Sequence, residues 1–482
     1  MNSALAEVVA PAKVRHLIGG RWVESEQQDL VYDPYRGTVV AEVARGTVGD
    51  IDLAVQAAVG AAPVVAAIPA YERAKILHRV ASLIVEYSDE IGLLMSRETG
   101  KALVDSIAEV RRSKDTITLS AEEAIRIEGA HIPLDGSEMG ASKIAFMLRF
   151  PVGVIAAVTP FNAPFNLACH KLGPAFAAGN SLVLKTPPQC PAIVNRLVEL
   201  FVKAGVPDGA VNAVHGGIEV GRALVSDPRV DFVTFTGSSR AGAEIKASSG
   251  LRRVALELGG NGQTIVHSDA DLETAAKLCA RNSMRLAGQS CISVQSVLVH
   301  RSVYDRFVRL VVEEVSKQKA GDPLDPATVV GTLIDEDAAK RVEQWVEEAV
   351  SHGARLLHGG ERNGAQITPT VLSDIRPEMK VFCEEVFGPV VSVMPYDDIS
   401  DAFHLINKSR YGLQTGIFTS SNTLTMRAIR ELRTGGVIIN GTSTWRTDQL
   451  AYGGVKDSGI GREGPRYAIR EMTDERIVLF NM

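Results

Sequence analysis

The sequence predicts an α/β protein built as two parallel-sheet domains in series, and three observations carry that expectation. From residue 151 the chain alternates apolar runs of strand length with helical stretches. Continuous apolar strands of that kind are covered on both faces, as in a parallel sheet. A second alternating set follows residue 260. At 482 residues the chain also exceeds the size at which a single core keeps growing.

Before residue 151, "VRHLIGGRWVES" and "VYDPYRGTVVAEV" read as short strands broken by turn residues. "YERAKILHRVASLIVEY" then places Ile76, Leu77, Val80, Ile84 and Tyr87 on one face, a helical period. "RETGKALVDSIAEVRRSKDTITLSAEEAIR" continues as helix, and "IEGAHIPLDGSEMG" has the turn chemistry of a hairpin. The first alternating set runs through "VGVIAAVTP", "NSLVLKTP", "AVNAVHG", "VDFVTFTG" and "RRVALELGG". The second runs through "QTIVHSDAD", "SVQSVLVHR", "GPVVSVMPY", "LQTGIFTSS" and "GGVIIN". Ligands of such sheets bind beyond the carboxyl ends of the strands, so a cleft between the domains is expected. The tail "RYAIREMTDERIVLFNM" ends in an apolar run suited to a last strand on a sheet or a partner.

Hydrophobic residues make up 45% and charged residues 22%, ordinary for a soluble globular protein. A net charge of −6 argues against nucleic acid or an anionic membrane as partner. The start "MNSALAEVVAPAKVRHLIGGRW" lacks a basic region followed by an apolar core, and runs such as "APVVAAIPA" are too short to span a bilayer. Five scattered cysteines without paired spacing imply a reducing compartment. No CxxC or His-rich cluster suggests a metal. The expectation is a soluble cytoplasmic protein.

Of the five cysteines, Cys169, Cys190, Cys279 and Cys383 sit among apolar or bulky neighbours, where a thiol is usually core filler. Cys291, in "RLAGQSCISVQS", has Gly288, Gln289, Ser290 and Ser293 around it, which suits an accessible thiolate. The usual GxGxxG after the first strand is missing. In its place "FVTFTGSSRAG" leads from a strand through Gly237, Ser238 and Ser239 into a helix. That start exposes N–H groups to a phosphate, although an ordinary Ser-capped helix reads the same way. Lys185 in "LVLKTPPQCP", Asn162 in "VTPFNAPFN" and Glu257 in "LELGGN" all close strands. They suit a ribose or phosphate contact, a neutral oxyanion donor and a general base. Each also has an ordinary alternative: a solvated lysine, a turn asparagine and a surface glutamate. "EEVFGP" adds Glu385 and Phe387, otherwise a loop carboxylate and a packing aromatic.

Taken in order, "PFNAPF", "FTGS", "LELGG", "GQSC", "EEVFGP" and "GGVKDSGIGREG" closely resemble the NAD(P)-dependent aldehyde dehydrogenase superfamily, from "IGGRW" to the last strand. The resemblance implies an aldehyde dehydrogenase-like fold: two parallel-sheet α/β domains plus a small β oligomerisation element. It assigns residues 1–124 and 149–256 to a dinucleotide-binding domain, 257–470 to a catalytic domain, and 125–148 with 471–482 to oligomerisation strands. The implied assembly is a homodimer or homotetramer, and the cofactor NAD or NADP.

The resemblance also implies a mechanism. Cys291 attacks the aldehyde, and Asn162 with the Cys291 N–H holds the alkoxide, each donor being worth roughly 3 kcal/mol. Glu257 activates the water that hydrolyses the thioester. Lys171 in "ACHKLG" supports that base electrostatically, and Glu463 in "GREG" matches a second glutamate of a proton relay, both equally explicable as structural ion partners. Lys185 takes the adenosine ribose, Ser238 the pyrophosphate and Glu385 the nicotinamide ribose, with Phe387 near the nicotinamide. Cofactor contacts extend to Thr159, Pro160, Phe161, Pro188, Gly221, Phe235, Gly237 and Leu258.

Three departures bear on specificity. Pro188 stands where many NAD-using members have a ribose-binding glutamate, so a 2′-phosphate is not repelled; Lys185 and Thr186 are available to meet it. Ser290 replaces the arginine that precedes the nucleophile in members taking phosphorylated aldehydes. The arginine those members carry on the helix after "ETGK" aligns with Ile107, which also disfavours a dianion. "GTSTWRTDQLAYGG" offers Trp445 and Arg446 at the substrate mouth, as in the lactaldehyde-dehydrogenase-like branch; Arg446 suits a monocarboxylate or sulfonate, or is an exposed loop arginine. Three other readings remain: a CoA-acylating enzyme, a catalytically silent protein on the same scaffold, and a thiol hydrolase using His170.

Overall fold

A computed structural model describes residues 10–482; residues 1–9, part of the stretch read above as lacking a signal, lie outside the described residues. The first large sheet has eight strands. Its centre is five parallel strands in the order Arg253–Glu257, Phe232–Thr236, Val154–Val158, Ser181–Lys185, Val211–Val214. The antiparallel pair His16–Ile18 and Arg21–Val23 extends one edge, and Gly459–Ile460 pairs antiparallel on the other. The five central strands are apolar because both faces are covered. One face packs Pro164–Ala178, Pro191–Ala204, Ala70–Glu86 and Leu103–Ala124, with Phe165, Phe176 and Phe201 fully buried. The other packs Val48–Ala67, Ile218–Ser226 and Ser239–Ser248. Val48–Ala67 is long and apolar enough to cross a membrane, but Ile51, Ala54, Val55 and Ala58 dock it on the sheet.

The second large sheet has seven strands, in the order Arg355–His358, Thr370–Ser373, Val390–Tyr396, Ser296–His300, Gln263–Val266, Gln414–Phe418, Gly436–Ile439. All pair parallel except Arg355–His358 at the edge. A third sheet joins Thr473–Asn481, Lys143–Pro151 and Ala130–Ile132, all antiparallel. A smaller one combines Ala12–Val14, Val39–Ala44 and Gln28–Tyr32.

Three local expectations change. The helix read continuously through "RETGKALVDS" is two helices, Ser88–Thr99 and Leu103–Ala124. Gly100 ends the first at φ +71°, where a Cβ would lie 1.7 Å from Thr332 Oγ1 of the second large sheet's domain, so only glycine lets the two units meet. Residues 459–470, read as part of the catalytic domain, and 471–472, read with the oligomerisation strands, join the first unit instead. Gly459–Ile460 pairs with Arg253–Glu257, and Ile469 and Met472 enter the first core. The strand Lys143–Pro151 runs past the boundary drawn at residue 148, held in register to the end by Thr473–Asn481.

Register sets the position of the chemistry. Lys185 pairs with Val158, Val158 with Phe235, and Thr236 with Glu257, so these carboxyl ends share one rim of the sheet. The turn "TPFNAP" leaves that rim directly after Val158.

Candidate active site

Between that rim and the second unit lies a cavity of about 530 Å³, whose lining includes Asn162, Glu257, Cys291, Glu385, Arg446 and Tyr452. Cys291 reaches it through a strained turn. Leu286 and Ala287 both adopt left-handed backbone, φ +57° and +50°, a conformation costly for residues with a Cβ. Gln289 holds the turn, its amide oxygen accepting from the Ile334 N–H at 2.9 Å. The two glycines of "LELGG" let the chain pass: a Cβ on Gly259 would sit 2.5 Å from Glu385 Oε2, and one on Gly260 2.5 Å from the Cys291 carbonyl oxygen.

Cys291 keeps partial exposure, whereas Cys169, Cys190 and Cys279 are buried. Cys383, expected to be core filler, is half-buried instead. The Cys291 sulfur lies 3.2 Å from Tyr452 Oη. Burial pushes the thiol pKa up to about 12, with the Tyr452 hydrogen bond and the charge of Arg446 working the other way. The resting group is a thiol, not the accessible thiolate that its neighbours suggested. Neither the Asn162 side-chain amide nor the Cys291 backbone N–H has an acceptor among the described residues, so two donors are free on residues that line the same cavity.

Glu257 is buried and its Oε2 has no hydrogen-bond partner. Burial first, then the charge of Glu463, raises its pKa well above the carboxylate range, against the pull of Lys171, Arg446 and Arg462. Glu463 accepts from Lys171 Nζ at 2.9 Å and from Arg446 Nη2 at 2.7 Å. Those cations, with His170, hold it well below its usual range despite burial. Of these two carboxyls Glu463 carries the charge and Glu257 the proton. Lys171 and Glu463 are therefore paired with each other, and Lys171 reaches Glu257 through the field of the pair.

Arg446 is no exposed loop arginine. Its side chain is 8% accessible, its guanidinium sits 3.7 Å from the centroid of the Tyr452 ring, and its buried Nε has no partner. Trp445, by contrast, is 55% exposed and does not line the cavity. His170 is engaged by Asp448 at 3.0 Å and is also absent from the lining, so it is not placed as a base for Cys291.

Ile107 does not line the cavity. Gly92 packs against Ile107, and the cavity face of helix Leu103–Ala124 carries Asp105, Ala108, Glu109 and Arg112. Arg112 donates bidentately to Asp448, at 2.9 and 2.6 Å. Arg285 lines the same cavity and donates to Asp105 at 2.9 Å. Sequence reading missed Arg112, Arg285, Asp448 and Tyr452. The helical spacing of Asp105, Ala108 and Arg112 was the one local signal available for the first.

Of the residues expected to hold a dinucleotide, Pro160, Phe161, Gly237, Ser238, Leu258, Glu385 and Phe387 line the cavity, while Thr159, Lys185, Pro188, Gly221 and Phe235 lie beyond it. Lys185 is buried with no acidic partner within salt-bridge range among the described residues, and burial lowers its pKa to about 8. Gly221 faces its side chain, since a Cβ there would approach Lys185 Cδ and Cε to 3.9 Å. Pro188 is exposed, and Phe235 packs beneath Gly237.

Ser238 behaves as an ordinary helix cap, accepting from the Ala241 N–H at 3.3 Å, yet the N–H groups of Ser239 and Arg240 stay open as at any helix start. Glu385 accepts from Gly260 N–H at 3.1 Å and is raised by burial to about 7. Phe387 meets Phe161 edge-on at 5.9 Å. Thr186 is not free for a phosphate: it is buried and bonded to His215 Nδ1 at 2.8 Å. A buried cation without an acid, an open helix start and a buried carboxyl along one rim fit a dinucleotide whose reactive end approaches Cys291.

Residues 22–478 match the model of the aldehyde dehydrogenase family. The chain is 44% identical over 466 residues to a 3-sulfolactaldehyde dehydrogenase of Priestia megaterium, covering 96% of this chain and 97% of that protein. It superposes with TM-score 0.96 and 38% identity on aldehyde dehydrogenase 21 of Physcomitrella patens in complex with the reaction product succinate, covering 98% and 99% of the two chains. An NADP-dependent glyceraldehyde-3-phosphate dehydrogenase of Bacillus halodurans, complexed with NADP, superposes with TM-score 0.95 and 34% identity, covering 97% and 99%. The chain thus belongs to the aldehyde dehydrogenase family and oxidises an aldehyde with NAD or NADP.

Proposed function

We propose that the protein oxidises a short aldehyde carrying one anionic group, a sulfonate or carboxylate, through a thioester on Cys291 that water hydrolyses. The observation that carries the substrate class is Arg446: a largely buried guanidinium in the lining of the cavity that holds Cys291, with its buried Nε unpartnered among the described residues. Arg112 and Arg285 add positive charge at the same cavity, but each already holds an aspartate. That pairing, with Ser290 before the cysteine, favours a monoanion over a dianion. The sulfonate named in one relative and the carboxylate product named in another agree in class.

The Cys291 thiol gives up its proton to solvent, its sulfur forms a bond to the carbonyl carbon, and the π electrons move to oxygen. The Asn162 amide and Cys291 N–H donate to that oxyanion as preorganised donors. NAD or NADP, when bound along the rim by Lys185 and Ser238 and at its reactive end by Glu385 and Phe387, would supply the hydride acceptor that this oxidation needs. Glu257, once it has lost its own proton, takes one from the water that attacks the thioester carbon, the C–S bond breaks, and the carboxylate leaves. A base with that role in place favours water over CoA as acyl acceptor.

The third sheet supports self-association. Its edge strand Thr473–Asn481 exposes Ile477 (68%), Leu479 (49%) and Phe480 (53%), and such an edge is normally covered. A homodimer or homotetramer is the proposed state. Light scattering at micromolar concentration should show it, and a fully active monomer would contradict it.

A panel of matched aldehydes, with and without a terminal sulfonate or carboxylate, tests the substrate reading by reduced-nicotinamide absorbance. The anionic members should show kcat/KM at least about tenfold higher, or ~1.4 kcal/mol, and Cys291→Ala should oxidise none of them while still binding dinucleotide. Equal rates for neutral and anionic aldehydes would overturn the substrate class.

Glu257 predicts a pH dependence. Its pKa is raised, so the base form accumulates as pH rises, and steady-state turnover should climb through the neutral and alkaline range. Glu257→Gln should keep a burst of reduced cofactor, lose most steady-state turnover and flatten that climb. An unchanged steady state would remove Glu257 from the mechanism.

At the adenosine end, Pro188 places no carboxylate near Lys185, so NADP and NAD should be used within about tenfold of each other. Pro188→Glu should move the kcat/KM ratio towards NAD. A thousandfold preference for NAD in the unaltered protein would assign selection to another residue.

A further inference from the structure

Tyr452 belongs to none of the roles above, yet it makes the one side-chain hydrogen bond of Cys291 among the described residues. Its ring is buried, and its backbone is fixed by N–H and C=O bonds with Glu463 on both sides, at 3.0 and 2.6 Å. The Arg446 guanidinium lies over the face of the ring, held in turn by Glu463. A cation on the face of a phenol draws electron density from the ring and makes its O–H a stronger donor.

We propose that Tyr452 is a catalytic hydrogen-bond donor to the Cys291 sulfur, polarised by Arg446, which stabilises the thiolate before attack and again when the thioester breaks. In the thiol form either atom can donate; once the thiol proton has left to solvent or a base, only the phenol O–H can. No proton leaves Tyr452 at any step. When the C–S bond breaks, its electron pair returns to sulfur, where the same O–H is waiting. The charged groups facing the sulfur are Glu385, Glu257 and Arg446. The two carboxyls oppose ionisation whenever they are charged, so a neutral donor in contact with sulfur and a cation behind it are what oppose them. Tyr452 itself stays protonated, because burial pushes its pKa well above the ordinary phenol value.

The inference rests on Cys291 being the nucleophile, and the test separates the two. Full-length protein is alkylated with iodoacetamide across a pH series, and modification is read at Cys291 by mass spectrometry. Half-buried Cys383 serves as the internal control. Tyr452→Phe keeps the ring under Arg446 and the backbone bonds to Glu463. Its Cys291 profile should move up by about one pH unit, with alkylation near neutral pH slowed about tenfold, and Cys383 should react at an unchanged rate. With the aldehyde substrate, kcat should fall more than KM rises. Uniform 3-fluorotyrosine labelling of the unaltered sequence is the fold-preserving arm: a more acidic phenol should move the Cys291 profile down. Superimposable Cys291 profiles in either arm would overturn the role of Tyr452. Aldehyde oxidation by Cys291→Ala would instead overturn the nucleophile itself.

Discussion

The site depends on one buried carboxylate, Glu463, and the two cations bonded to it. Lys171 comes from the first unit's central helix and Arg446 from the loop after Gly436–Ile439, so the triad joins separate parts of the chain at the cavity floor. Charges taken out of water are costly unless each is paired and hydrogen-bonded. Here the pairing also orders the neighbours. Glu463, doubly bonded, keeps its charge, and Glu257 beside it keeps its proton. Arg446, fixed by Glu463, lies over Tyr452, and Tyr452 meets the cysteine. Removing either cation would leave a buried carboxylate short of partners and release the residues stacked behind it.

Around that floor, backbone geometry does the positioning. The parallel register brings Lys185, Glu257 and the asparagine turn to one rim. The left-handed residues Leu286 and Ala287 turn Cys291 towards that rim. Strain of this kind persists only where surrounding contacts over-determine it, and Gln289, bonded to Ile334, is such a contact. Gly259 and Gly260 let Glu385 and the Cys291 backbone come within distances that any side chain would forbid.

The arginines show how cavity charge is moderated. Arg112 and Arg285 cross between the two units to Asp448 and Asp105, so they lock the cleft as well as colour its potential. Of Arg112, Arg285 and Arg446, the last retains a buried donor without a partner among the described residues. The proposed preference for a singly charged aldehyde rests on that difference.

How much of this was legible follows from the range over which each signal acts. Strand alternation, the two α/β units and the placing of Asn162, Lys185, Glu257 and Cys291 at strand or helix ends are local patterns, written in runs of a few residues. They were readable because burial on both faces forces apolar strands, and small residues mark the places where backbones approach. Motif order then named the family. The helix break at Gly100 was not legible, since its cause is Thr332, which the chain brings from more than two hundred residues away. Nor was the return of residues 459–472 to the first sheet. Arg112 was displaced in the reading by Ile107 because alignment to a motif ignores which face of a helix looks inward. Tyr452, Asp448 and the burial of Arg446 carry no local signature; a tyrosine or arginine in a polar loop reads as surface. By itself the sequence determined the fold class, the family and the oxidation of an aldehyde, and it singled out Cys291 as the candidate nucleophile. Only the tertiary structure decided the protonation, pairing and hydrogen bonding of those groups, because these depend on burial and on charges contributed by distant segments.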